Sequence, residues 1–413
     1  ERPQEKTHDP PVPFLRGLVS AAMPTTLRRP LDTPFRQQRL PAWKPVLTPF
    51  WVMLVFLAIG VPFVIIGTTL RSQSDDLLEM RVQYDGTDTA DEYTPCRIKS
   101  SNVGAQCQIS FTAREDMKAP VYVYYQLSNY FQNHRRYVKS YSEEQLLGCL
   151  GKGTRDNCGG YDIDDCEPLL RNGSTLLNPC GLIANSLFND VIILDGPKNI
   201  QYSGLAWPSD RKKFNQPEGF RRLVNNSLGQ QCLSGVNLET RKFGSCSDSV
   251  CEMAFGSSDF SGCKAFYCDQ PDYFDCAEGS YYMFFYPRDD RVQYIYETFP
   301  EVVAPIHGVN SDRFQIWMRN SALPKFRKLY AKITDNIDKG ETITFNITAN
   351  FDVSTFKGTK SLAIAMTSWF GARNNFLGIA FIAVGTITLA FGVAFGLKLV
   401  VAPRRLGDER YLN

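Results

Sequence analysis

The chain has 413 residues, 21% of them charged, and a formal net charge of +2, a composition that taken alone suits an ordinary soluble protein. The Lys and Arg of residues 71–373 are interleaved with acids, which argues against a basic nucleic-acid-binding face there. The average hides two stretches without a charged residue, 45–70 and 374–397, each long enough to cross about 30 Å of hydrocarbon as a helix.

In chain order, residues 1–30 mix Pro, Arg and Thr without periodicity and read as a mobile tail. The segment 35–45, FRQQRLPAWKP, sets Arg36, Arg39, Trp43 and Lys44 at headgroup level beside the first apolar run. A generic basic flank accounts for those charges but not for Gln37, Gln38 and two prolines. The run itself, read as a transmembrane helix over 48–70, lies too deep in the chain for a secretory leader. It is longer than the apolar core of one and no small-x-small cleavage site follows, so it reads as an uncleaved anchor.

Basic residues crowd the outer flanks of the two runs. Arg28, Arg29, Arg36, Arg39 and Lys44 precede the first; Lys398, Arg404, Arg405 and Arg410 follow the second. This bias places segments 1–47 and 399–413 in the cytosol and 71–373 on the other side. All twelve cysteines lie between Cys96 and Cys276, and the three N-x-S/T sequons, Asn172, Asn225 and Asn346, lie in the same region. Both features belong to an oxidising compartment where N-linked glycans are added.

Within 71–373 the pattern is mainly β. Residues Glu341–Val353 alternate, with Ile343, Phe345, Ile347, Ala349, Phe351 and Val353 on one face and the Asn346 sequon on the other. Pro120–Leu127, Arg291–Phe299 and Arg313–Met318 read as further strands, rich in aromatic and β-branched residues. Ser142–Leu150 opens with S-E-E-Q, a capping box, and reads as a short helix. The expected fold is a β-rich, antiparallel sandwich-like ectodomain with long loops and few short helices, carried on two transmembrane helices.

Cysteine pairing is not fixed by sequence, although short separations favour Cys96–Cys107 and Cys166–Cys180. Six cysteines, Cys232, Cys246, Cys251, Cys263, Cys268 and Cys276, crowd a Gly-, Ser- and Asp-rich stretch that cross-links would have to order. Zinc fits this stretch poorly, because it holds neither a C-x-x-C pair nor a histidine.

The second run, read as a transmembrane helix over 374–398, carries Gly378, Gly385, Gly392 and Gly396. At 100° per residue they fall on one helix face. Such a stripe suits close helix packing, against the first span, a second copy or another protein, and its glycines count among the candidate partner contacts.

Catalytic chemistry is hard to find. The only histidines are His8, His134 and His307, and no phosphate loop, nucleophile elbow or H-E-x-x-H is present. Asp162, Asp164 and Asp165 lack the spacing of a calcium loop. No catalytic residue, metal site or cofactor is assigned.

Several strings carry a family resemblance: FRQQRLPAWKP (35–45), YYQLSNYFQNHRRYVKS (124–140), CEPL (166–169), PCGLIANSLFND (179–190), LAWPSD (205–210), WMRNSALPKFRKLY (317–330), and FKGTK with SWFGARNNFLG (356–360 and 368–378). The chain resembles the accessory (β) subunits of type-IV P-type ATPases, the phospholipid flippases of the cell-division-cycle-50 or ligand-effect-modulator family. The resemblance implies a non-catalytic subunit in one-to-one complex with the ATPase. It would be needed for folding, export from the endoplasmic reticulum and transfer of aminophospholipid to the cytosolic leaflet, in the endoplasmic reticulum, Golgi, endosome or plasma membrane. It also implies that Cys166 and Cys180 are paired. GAR at 371–373 departs from an expected GGK but keeps the basic charge. His134, Arg135 and Arg136 are candidate contacts to the ATPase's outer loops, with hydrogen bonding inside the ectodomain as the alternative. The same topology fits two other classes, a trimeric ligand-gated channel and a ligand-binding cell-surface protein. Thr386 and Thr388 do not share a helix face as pore-lining residues would, and the chain ends carry no obvious signalling module.

Overall fold

The computed structural model describes residues 32–40, 48–86, 89, 91–98, 102–152, 162–224, 226–234, 236, 243–287, 291–368 and 371–403. Trp43 and the Asn225 sequon lie outside these residues. The chain divides into two compact units, one spanning Ile59–Leu389 and the other made of Glu1–Ala58 with Ala390–Asn413.

Two helices of 27 residues, Pro49–Asp75 and Asn375–Val401, are long and apolar enough to cross a membrane. At 1.5 Å per residue each measures about 40 Å, so both outrun the charge-free core that marks them in the sequence. The first ends on ladder-free residues 76–78 and the chain turns at once into strand Glu79–Gly86.

That strand is the edge of a six-stranded antiparallel sheet. It pairs with Thr359–Ser368, which pairs with Val121–Ser128, then Phe326–Ile333, then Ile200–Gln201; Gly371–Ala372 folds back on the end of Thr359–Ser368. A second sheet of three strands has Thr342–Ala349 between Ala105–Thr112 and Val191–Asp195. Alternation assigns the faces. Val121, Val123, Tyr125 and Leu127 point inward from the first sheet, and Ile343, Phe345 and Ile347 from the second, into one shared core. Asn346 sits on the wet face of the second sheet. This is the sandwich that the alternation implies.

Residues 221–285 add a four-stranded antiparallel sheet in which Lys264–Tyr267 lies between Phe243–Ser245 and Tyr281–Phe285. A small core of its own includes Cys251, Cys263, Ala265 and Met283. Three disulfides staple it: Cys232–Cys246, Cys251–Cys263 and Cys268–Cys276. A segment with so little apolar surface draws on such cross-links for order. Cys96 is bonded to Cys107, Cys166 to Cys180, and Cys149 is also disulfide-bonded.

Two strand readings need correction. Asp312–Met318 is an α-helix. Its first turn carries Asp312, and the buried residues Phe314 and Trp317 stand three apart, the spacing of one helix face. Arg291–Phe299 is split: strand Val292–Tyr294 passes directly into helix Ile295–Thr298. There the Glu297 carboxylate accepts from Tyr294 N at 3.0 Å, the back-bond of a capping box. The S-E-E-Q helix forms over Glu143–Leu146, with Ser142 Oγ accepting from Gln145 N. Its Gln145 is buried and ties Leu177 O and Cys180 N to the helix.

Candidate partner interface

The ectodomain strands that adjoin the two long helices lie side by side. Glu79 pairs with Ala365 and Asp85 with Lys360, so the chain leaving the first helix is laced to the chain entering the second. At the helix ends Asp75 lies 3.6 Å from Arg71 and 3.8 Å from Arg373, and accepts from Asn375 Nδ2 at 2.8 Å. Ser74 Oγ accepts from Asn374 N.

Deeper in the ectodomain lies an ion cluster that sequence reasoning missed. Lys360 is fully buried, with Nζ 3.1 Å from Asp85 and 2.9 Å from Asp190. It also donates to Phe351 O. Asp190 accepts from Asn350 N and Phe351 N, both at 2.6 Å, and from Tyr84 Oη at 2.8 Å. Burial raises the Asp85 carboxyl above the usual range despite the neighbouring ammonium. The cluster pins strand Glu79–Gly86, strand Thr359–Ser368 and the 350–351 turn to one point. Isolated charges in the sequence give no sign of it, since the three partners are 85, 190 and 360.

The glycine stripe packs within the chain. A Cβ on Gly378 would lie 2.9 Å from Arg71 N and 3.0 Å from Gly67 O; one on Gly385 would lie 2.9 Å from Val64 N and 3.1 Å from Gly60 O. Gly392 faces Phe56 and Leu57, and Gly396 faces Met53 Sδ. The four glycines are therefore contacts to the first helix, one of the three partners that the stripe leaves open. The matching glycines Gly60 and Gly67 were not singled out in the sequence, although they stand seven apart like Gly378 and Gly385. Ring contacts Phe63–Phe381 and Phe56–Phe395 flank the seam. Thr68, Thr69, Thr386 and Thr388 return their hydroxyls to carbonyls of their own helices.

His134, Arg135 and Arg136 are exposed at the start of helix Arg135–Lys139, where His134 is the N-cap residue. Behind them Tyr137 is buried and its hydroxyl meets Ser186 Oγ at 2.8 Å. The basic turn borders an open, mainly apolar depression of about 430 Å³ lined by Tyr130, Phe131, Pro168, Leu182 and Phe356. Phe131 is 54% exposed, a large apolar face in water. Four separate sequence segments, around 130–137, 168, 182 and 356, converge here. Phe131 escaped the sequence reading because nothing local marks an aromatic as exposed, and Phe356 because it reaches the depression from a distant, partly buried segment.

Arg36, Gln37, Gln38 and Arg39 form a turn in which Gln37 N donates to Thr33 O and Arg39 N to Pro34 O, with Gln38 at positive φ. Among the sequons, Asn172 is exposed in Arg171–Asn172 and bonds Gln293, and Asn346 is exposed and accepts from Gln108. The sulfurs of Cys246, Cys251 and Cys263 lie within 4.8 Å of one another, but all three belong to disulfides and offer no thiolate to a metal.

Residues 70–405 match the family model described as LEM3 (ligand-effect modulator 3) family / CDC50 family. The chain belongs to the CDC50/LEM3 family. It is similar to ALA-interacting subunit 3 of Arabidopsis thaliana, with 32% identity covering 95% of this chain and 93% of the relative. It is similar to Cell cycle control protein 50A of Mus musculus, with 34% identity covering 89% and 88%. A third relative is the Phospholipid-transporting ATPase accessory subunit CRF1 of Saccharomyces cerevisiae, 29% identical over 94% and 89% of the two chains. The family match spans the sandwich, the Lys360 cluster, the basic turn and the second long helix. Among the described residues, the 32–40 turn and most of the first helix precede it.

Proposed function

We propose that this chain is the accessory subunit of a type-IV P-type ATPase that moves phospholipid, held to that ATPase in a one-to-one complex. The observation that carries the reading is family membership over residues 70–405, with a yeast relative, similar over 94% of this chain, named a phospholipid-transporting ATPase accessory subunit. On this reading the chain does no chemistry of its own. Its termini lie in the cytosol, its ectodomain faces the lumen or exterior, and Asn172, Asn225 and Asn346 carry glycans. The compartment is the endoplasmic reticulum, Golgi, endosome or plasma membrane.

The physics of the fold suits a rigid clamp. The helices spend their glycine face on each other, so a partner meets their remaining, exposed faces, which include Ile59, Ile65, Ile379 and Ile387. The ectodomain is stapled by disulfides and tied to both helices through adjacent strands. It offers the basic turn His134–Arg135–Arg136 with exposed Phe131 as an anchor of mixed charge and aromatic character, the composition that concentrates binding energy in interfaces.

Co-expression with the ATPase tests the reading. Inward uptake of a fluorescent aminophospholipid is expected to need both chains. Uptake by cells carrying the ATPase alone, at the rate of the pair, would contradict it.

A further inference from the structure

Two of the disulfides that staple residues 221–285 stand close enough to exchange partners. Cys246 is bonded to Cys232, and Cys251 to Cys263. Yet the Sγ atoms of Cys246, Cys251 and Cys263 all lie within 4.8 Å of one another. The backbone explains the crowding. Strand Phe243–Ser245 runs antiparallel to Lys264–Tyr267, with Ser245 opposite Lys264. One step further, Cys246 N donates to Cys263 O at 3.0 Å, so these two cysteines face each other across the strand pair. Opposed residues of such a pair sit about 4.5–5.5 Å apart at Cα, inside the range of about 4.4–6.8 Å that a disulfide spans. The backbone at Cys246 therefore suits a bond to Cys263, although its native partner is Cys232.

The two bonds differ in access. Cys251 and Cys263 are fully buried, in the small core with Ala265 and Met283. Cys232 and Cys246 are only partly buried, and their neighbours Gln231, Ser245 and Ser247 are exposed. Exchange needs the attacking thiolate to reach a sulfur. A thiol arriving from water meets the Cys232–Cys246 bond and has no direct path to Cys251–Cys263.

We propose that Cys232 is a thiolation site that takes a low-molecular-weight thiol in mixed disulfide, and that Cys246 relays the exchange to the buried bond. The entering thiolate bonds to Cys232 Sγ, the Cys232–Cys246 bond breaks, and Cys246 leaves with the electron pair as a thiolate. That thiolate bonds to Cys263 Sγ and the Cys251–Cys263 bond breaks. Cys251 then takes up the proton that the entering thiol gave up. Two disulfides and one thiol enter, and two disulfides and one thiol remain, so no oxidant or reductant is consumed. The new bond joins strand to strand and releases helix Asp248–Phe255, which carries Cys251, from its own staple. The inference does not depend on the ATPase reading.

The test uses the full chain in lipid nanodiscs, incubated with reduced glutathione at mildly alkaline pH. The protein is then denatured in N-ethylmaleimide and its disulfides are mapped by peptide mass spectrometry. At least half of the molecules carrying glutathione on Cys232 are expected to show a Cys246–Cys263 bond and N-ethylmaleimide on Cys251. That share should not change with protein concentration, as an intramolecular step requires. Cys232→Ser frees Cys246 without any added thiol, and in folded protein the label should again land on Cys251. Glutathione held on Cys232 with Cys246 alkylated and Cys251–Cys263 intact overturns the proposal. So does a chain that takes up no glutathione at Cys232.

Discussion

Gly67 and Gly378 face each other backbone to backbone: a methyl added to Gly67 would lie 2.9 Å from the Gly378 carbonyl oxygen, and one added to Gly378 3.0 Å from that of Gly67. Neither oxygen can move without breaking its helix. Gly392 and Gly396 differ, since the atoms a Cβ would meet are side-chain atoms at 3.2 Å or more. Gly378→Ala and Gly385→Ala are therefore expected to destabilise by about 1–3 kcal/mol, as overpacking does. Gly396→Ala, against the flexible Met53, is expected to be near neutral. Thermal unfolding in nanodiscs reads the order; equal effects at all positions would mean the seam is looser than described.

Lys360 is the second point of vulnerability. Lys360→Met keeps the length of the side chain but leaves Asp85 and Asp190 buried without their cation. Removing one partner of a buried ion pair costs about 3–5 kcal/mol. Substitution of Asp190 by Asn is milder: its one amide oxygen can still accept from the 350–351 backbone and its Nδ2 can donate to the Tyr84 hydroxyl, while Lys360 keeps Asp85. Yield of folded, monodisperse protein and its melting temperature should fall far more for Lys360→Met than for Asp190→Asn.

Asp85 sets a pH dependence of definite sign. Its folded pKa is raised, burial being the largest cause. Between the ordinary carboxylate value and the raised one, the folded chain binds a proton that the unfolded chain does not. This contribution to stability therefore grows as pH falls from neutral through the raised value, and is fully present below the ordinary one. Asp85→Asn removes that increment, so its melting temperature should rise less between neutral and mildly acid pH than the parent's. Parallel curves would show that Asp85 does not titrate in this window.

How far these features were legible in the sequence depends on the range of the physics behind them. The charge-free runs and the alternation of 341–353 are local patterns, and helices and a strand follow directly. The helix Asp312–Met318 was misread because six residues of mixed aromatic and aliphatic character fit either period, and only the burial of Phe314 with Trp317 separates them. The glycine stripe was visible, but its occupant was not, because Gly60 and Gly67 lie some 300 residues away in a helix whose own pattern looks uniform. The Lys360 cluster and the Phe131 depression draw on segments with no sequence neighbourhood in common.

The basic turn carries a prediction about partner binding alone. His134, Arg135 and Arg136 are exposed, so replacing all three with Ala should leave melting unchanged. Adding Phe131→Ala removes the aromatic beside them. Co-purification with the ATPase is expected to drop severalfold in the quadruple variant, with secretion-pathway glycosylation intact. Loss of folded protein instead would move these residues into the ectodomain's own hydrogen bonding.

The central claim is the complex itself. Affinity purification of the tagged full chain in mild detergent, followed by native mass spectrometry, measures it without any variant. The account predicts one copy of this chain bound to one copy of a large P-type ATPase. Recovery of a homotrimer, or of the chain by itself from cells that make the ATPase, would contradict it.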